Sequence, residues 1–131
     1  MIRRLWDRQR RKFAAAGSGL RVSVVREDSF YVHLPIATAV VVVARWVGLP
    51  PVQWAVLAIA IGLVIACELL NTAVEELARG LKAPIDPAIR RSLDAAAAAV
   101  LVVAAASVVV GLLILGPPLW TICQTWMRPL P

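Results

Sequence analysis

Long apolar runs broken by short polar connections dominate the chain, at 34–49, 51–77 and 93–119. The second and third exceed the roughly 20 residues that a helix needs to cross about 30 Å of hydrocarbon. The first is shorter, and spans if Arg45 extends its charged head to the boundary. Pro50-Pro51 ends this first run, because proline is excluded from helix interiors but accepted in a first turn. Trp46 and Trp54 bracket that tight turn as interfacial aromatics, so the first two spans are antiparallel neighbours.

The second helix is expected to stop near Ala78-Arg79-Gly80. Pro84 and Pro87 forbid a continuous helix through 82–91, and Asp86 is placed to cap a turn there. The third helix begins near 87–92 and enters the membrane after Asp94. Small residues over 95–115 allow close helix approach, and Gly116-Pro117-Pro118 is expected to end that span. Trp120 and Trp126 mark the far interface, and 120–131 is an extracytoplasmic tail.

Ahead of the spans, 1–33 reads as a basic arm followed by a surface helix. Leu5, Trp6 and Phe13 interleave with Arg3, Arg4, Arg8, Arg10, Arg11 and Lys12 in the arm. A small-residue hinge is expected over Ala14–Gly19, and Leu20, Val24 and Val25 then fall at amphipathic helical spacing. The fold class is all-α: a three-span membrane domain over 34–119 with an N-terminal amphipathic surface helix. Composition agrees, at 60% hydrophobic residues and a mean hydropathy of +0.78. The net charge of +6 sits beside the spans rather than across a folded face, which favours anionic headgroups over nucleic acid. Cys67 and Cys123 have neither metal-site nor redox spacing.

Lys and Arg number eight in 1–26 and four in 79–91, against Arg45 and Arg128 on the other side. The positive-inside rule therefore predicts a multi-pass protein of the inner (plasma) membrane, with the N-terminus and second loop cytoplasmic and the C-terminus outside.

One stretch breaks the apolar pattern at membrane depth: C-E-L-L-N-T-A-V-E-E at 67–76. Glu68, Asn71 and Glu75 fall at i, i+3 and i+7, on one helical face. Carboxylates at this depth are costly and face a protein interior or a watery cavity. Under the predicted topology, Glu27, Asp28 and Asp94 lie in the same cytoplasmic boundary layer.

Three readings of these residues remain open. Magnesium takes oxygen ligands plus substrate phosphates, and phosphoryl transfer needs an acceptor for the hydroxyl proton. The carboxylates could divide those roles. They could instead pair with Arg79, Arg90 or Arg91 to hold a bundle together, or line a cation or proton path. Glu27 and Asp28 have their own simpler role as a solvated pair capping the next helix.

E-L-L-N-T-A-V-E at 68–75 resembles the signature of the small prokaryotic diacylglycerol kinase family, which includes the undecaprenol kinases. F-A-A-A-G-S-G-L-R at 13–21, R-E-D-S-F-Y-V-H at 26–33 and L-D-A-A-A-A-A-V-L at 93–101 are similar to its surface helix, first span and third span. The resemblance implies ATP-dependent phosphorylation of a lipid alcohol, diacylglycerol or undecaprenol, by a homotrimer with sites shared between subunits. It implies that Glu68 is the general base and that Glu75 and Glu27 ligate Mg2+. Asn71 would orient the phosphates or Glu68, and Asp94 would contact the nucleotide or support the site. The run S-F-Y-V-H leans toward the undecaprenol branch.

Two positions depart from the family pattern. Leu93 replaces a usual lysine and Arg79 replaces a usual aspartate. Losing a lysine beside a polyphosphate costs about 1.5–3 kcal/mol, or one to two decades in rate at about 1.4 kcal/mol per decade. Arg91, or Arg79, Lys82 or Arg90, would have to supply that charge. The alternative is a degenerate relative acting as a membrane assembly or cation pathway.

Overall fold

The structure, a computed structural model, describes residues 1–26, 29–81 and 86–127. It contains α1 (Ile2–Arg26), α2 (Phe30–Val47), α3 (Pro51–Gly80) and α4 (Pro87–Met127). The last three are long and apolar enough to cross a membrane, so the chain is an integral membrane protein. Within α2 the 18 residues reach about 27 Å at 1.5 Å each, just enough for the hydrocarbon core.

Local signals set the helix ends. Gly48 adopts φ 75°, and its N–H and that of Leu49 both donate to the Ala44 carbonyl, closing α2 in a left-handed cap. Pro51 then opens α3, where its missing N–H costs nothing. Asp86 caps α4 as expected, its carboxylate accepting the Ala88 N–H at 2.7 Å with Pro87 in the first turn.

Two expectations fail. There is no hinge over Ala14–Gly19, because α1 runs unbroken from Ile2 to Arg26. Gly17 and Gly19 each cost about 1 kcal/mol in a helix, but the adjoining alanines favour it and no proline interrupts. In the continuous helix Ile2, Leu5, Trp6, Phe13 and Leu20 share one face and are exposed, as suits a helix lying in a lipid interface. The second failure is at Pro117-Pro118, which α4 carries through to Met127. Two missing N–H donors do not break a helix where hydrocarbon offers the backbone no other partner.

Within the bundle α3 packs most extensively on α4, and α2 lies against both. The tightest packing gathers Ala44, Leu49, Leu57 and Leu115 near the Pro50-Pro51 turn, with Trp54 against them. Ser107 of α4 donates to the Ala60 carbonyl at 3.4 Å, a polar tie between spans. Many other large apolar side chains on the spans are exposed, as lipid-solvated surfaces are.

Candidate functional site

Phe30, 1% exposed, anchors the start of α2. Ser29 precedes it, and its carbonyl accepts from the N–H groups of Val32 and His33. A serine here commonly accepts a backbone N–H with its side chain. Ser29 instead turns its hydroxyl across to α3 and donates to Glu68 Oε2 at 2.8 Å. One helical turn later, His33 Nε2 lies 2.8 Å from Glu68 Oε1.

Both oxygens of Glu68 are therefore engaged, and the residue is only 2% exposed. Removing a carboxylate from water is tolerated when charge-assisted hydrogen bonds replace its hydration. Glu68 meets that condition with two partners at the start of α2, Ser29 just before the helix and His33 in its first turn.

Toward the α3 C-terminus, Asn71 Nδ2 donates to Glu75 Oε1 at 2.7 Å. Asn71 Oδ1 is buried without a hydrogen-bond partner among the described residues. Such an orphaned acceptor costs about 1–3 kcal/mol and calls for a missing partner. Glu75 Oε2 meets Arg79 at 3.3 Å, and Arg79 also reaches Glu76 at 3.5 Å. These pairs are solvent-exposed and spaced along one helix, so each contributes only about 0.3–0.5 kcal/mol. A stronger cationic ligand would displace them.

The oxygen donors fit a hard divalent cation. A free amide oxygen lies beside a carboxylate that is 36% exposed, which suits Mg2+ retaining waters and phosphate oxygens. Among the described residues no group of three or more acidic, His or Cys side chains converges as a metal cage. Glu27, expected as a second metal ligand, lies outside the described residues, as do Asp28 and Lys82.

Arg91 and Asp94 are exposed on α4 and make no hydrogen bond or ion pair with Glu68, Asn71 or Glu75 of this chain. The spacing thus identified the α3 stripe but missed Ser29 and His33 as its partners. The available signal was that the chain's single histidine stands four residues after a serine at the membrane boundary.

Two cavities adjoin the stripe. One of about 550 Å³ lies between α1 and α3, lined in part by Ser18, Gly19, Ser23, Thr72 and Glu76. The other, about 430 Å³, is an apolar groove between the three spans. His33 lines it at one end, and Leu57, Ile61 and Val64 of α3 form its floor. Those floor residues continue at i+3, i+4 and i+7 steps into Glu68, Asn71 and Glu75, so groove and stripe share one α3 face.

Comparison with known proteins agrees with this architecture. The profile of the family described as "Prokaryotic diacylglycerol kinase" matches residues 14–115. A protein described as "Undecaprenol kinase" from Bacillus subtilis (strain 168) is 35% identical over 109 residues, covering 83% of this chain and 89% of the relative. The chain accordingly belongs to the prokaryotic diacylglycerol kinase family, and its activity is that of an ATP-dependent lipid kinase.

Proposed function

We propose that this kinase transfers the γ-phosphate of ATP to the primary hydroxyl of a polyisoprenol of the undecaprenol type. The observation that carries this reading is the apolar groove that meets His33, the imidazole hydrogen-bonded to Glu68. Near its polar end it is lined by Ile36, Ala37, Val64 and Ile65, with His33 as the polar group. A diacylglycerol would bring two ester carbonyls into that stretch, and burying a polar group without a partner costs roughly 1–3 kcal/mol. A polyisoprenol is hydrocarbon up to the carbon bearing its hydroxyl. The similarity to the Bacillus subtilis undecaprenol kinase supports the same choice.

In this reading Glu68 is the base of the site, held by Ser29 and His33 where a tail in the groove delivers its hydroxyl. Asn71 and Glu75, joined by Glu27, would hold Mg2+, which supplies charge neutralisation on the phosphates. The nucleotide occupies the α1–α3 cavity, whose hydroxyl-bearing wall at Ser18, Ser23 and Thr72 adjoins the stripe. Arg91 and Asp94 serve the site of a neighbouring copy in a homotrimer, which agrees with their exposure and with their making no side-chain hydrogen bond or ion pair among the described residues. The N-terminus and the α3–α4 connection face the cytoplasm, because Lys and Arg cluster there.

The test is phosphate transfer in vesicles holding the protein, γ-labelled ATP and either a polyisoprenol or a diacylglycerol. The expected result is lipid phosphate from the polyisoprenol with kcat/KM at least about tenfold above that for diacylglycerol, a preference of about 1.4 kcal/mol. Equal use of the two lipids removes the polyisoprenol assignment. No lipid product from either removes the kinase reading of this site.

A further inference from the structure

Arg79 stands where the stripe and the α1–α3 cavity meet. Its Nη2 lies 3.3 Å from Glu75 Oε2 and its Nη1 lies 3.5 Å from Glu76 Oε1. Glu75 belongs to the stripe, whereas Glu76 lines the cavity. The guanidinium thus bridges the two, and 56% of the Arg79 side chain is exposed. Spaced i+4 from Glu75 and i+11 from Glu68, Arg79 also keeps to the helical face of the stripe.

These surroundings call for a cation once a nucleotide arrives. Phosphates turned from the cavity toward Glu68 pass Glu75, Glu76 and the carbonyl end of α3, which finishes at Gly80. The carboxylates repel them, and so does the negative end of the helix dipole. Glu75 gives up Arg79 readily as it ligates Mg2+, because exposed pairs along one helix are weak. A guanidinium released this way offers two parallel donors, the geometry that a phosphate accepts. Its position selects the phosphate. Glu68 receives the hydroxyl proton, so the transferred γ-phosphate lies nearest to it, with the metal donors Asn71 and Glu75 beyond. Arg79 follows roughly 16 Å from Glu68 along α3 at about 1.5 Å per residue, and its side chain reaches back one turn to Glu75. The β-phosphate is the one within its range.

We propose that Arg79 is a nucleotide-binding residue: when the metal-bound nucleotide arrives, its guanidinium leaves Glu75 and Glu76 for the β-phosphate. The inference rests on the reading of the α1–α3 cavity as the nucleotide site, and it names the cation which that site uses.

Binding rather than turnover tests it, with the full chain in bilayer nanodiscs. Arg79→Gln removes the charge and keeps a neutral donor. With Mg2+ present its Kd for ADP should rise at least about tenfold, the loss expected of a charge-assisted contact. The preference for ADP over AMP, which has no β-phosphate, should shrink by the same factor. Mn2+ binding without nucleotide, read by electron paramagnetic resonance, should be at least as tight as in wild type, because a competitor for Glu75 is gone. Equal helix content by circular dichroism establishes that the variant is folded.

A folded Arg79→Gln protein that binds ADP within about threefold of wild type would overturn the proposal, since that is under half of one decade in affinity. Weakened Mn2+ binding would overturn it as well and leave Arg79 as a brace for Glu75. Equal losses of ADP and AMP would take the contact away from the β-phosphate. If wild type itself binds no ADP, the nucleotide reading of the cavity fails first and carries the inference with it.

Discussion

At the scale of single residues, the hydrogen bond from Ser29 to Glu68 spans 39 positions of sequence and ends on a buried charge. Hydrogen bonds to charged groups are worth about 1.5–3 kcal/mol. Ser29→Ala should therefore lower kcat/KM by one to two decades at about 1.4 kcal/mol each, measured as lipid phosphate formed at limiting lipid. The orphaned Asn71 Oδ1 leads to a different readout. Asn71→Ala should raise the Mg2+ concentration for half-maximal rate about tenfold or more, since even outer partners of a metal site are worth that much and Asn71 is proposed as a direct ligand. An unchanged Mg2+ dependence would remove Asn71 from the metal site. The carboxylate stripe was legible because i, i+3, i+7 spacing survives any packing of the helix. Ser29 and His33 were not, because the register of α2 against α3 is a tertiary fact that no local pattern encodes.

At the scale of elements, the left-handed Gly48 decides how tightly α2 returns into α3. Its φ of 75° disfavours any side chain, although an added Cβ would meet no atom within 4 Å. Gly48→Ala should cost about 1 kcal/mol from backbone strain, read as a lowered midpoint in denaturant. The three spans were readable from apolar length, as were the Asp86 cap and the Pro50-Pro51 turn. The continuity of α1 and α4 was not. Rules for glycine and proline describe helices competing with water for backbone partners, and a membrane removes that competitor. Spin labels at positions 6 and 20 test α1 directly: an unbroken helix separates the backbones by about 21 Å at 1.5 Å per residue, with a narrow distribution. A broad or shorter distribution would restore the hinge.

At the scale of the whole molecule, three helices enclose one groove whose floor runs on into the chemistry. Gly111 contributes open space there, with nothing within 4 Å of where a Cβ would stand. Gly111→Leu should fill part of the groove and raise KM for the lipid at least about tenfold while leaving KM for ATP unchanged, because one cavity is occupied and the other untouched. An effect on both constants, or on neither, would mean the tail lies elsewhere.

The seclusion of Glu68 bears on fidelity as well as rate. Water is itself a hydroxyl compound and surrounds every nucleotide that reaches the inner face of a membrane, so a kinase with an open base would squander ATP by futile hydrolysis. Here the carboxylate is sealed behind a serine and an imidazole, and the approach left to an acceptor is paved with hydrocarbon. An alcohol towing a greasy chain is drawn along that approach while a solvent molecule is repelled from it. With Glu68 as the proposed base, water would be selected against by its exclusion from this apolar approach, before any bond is made.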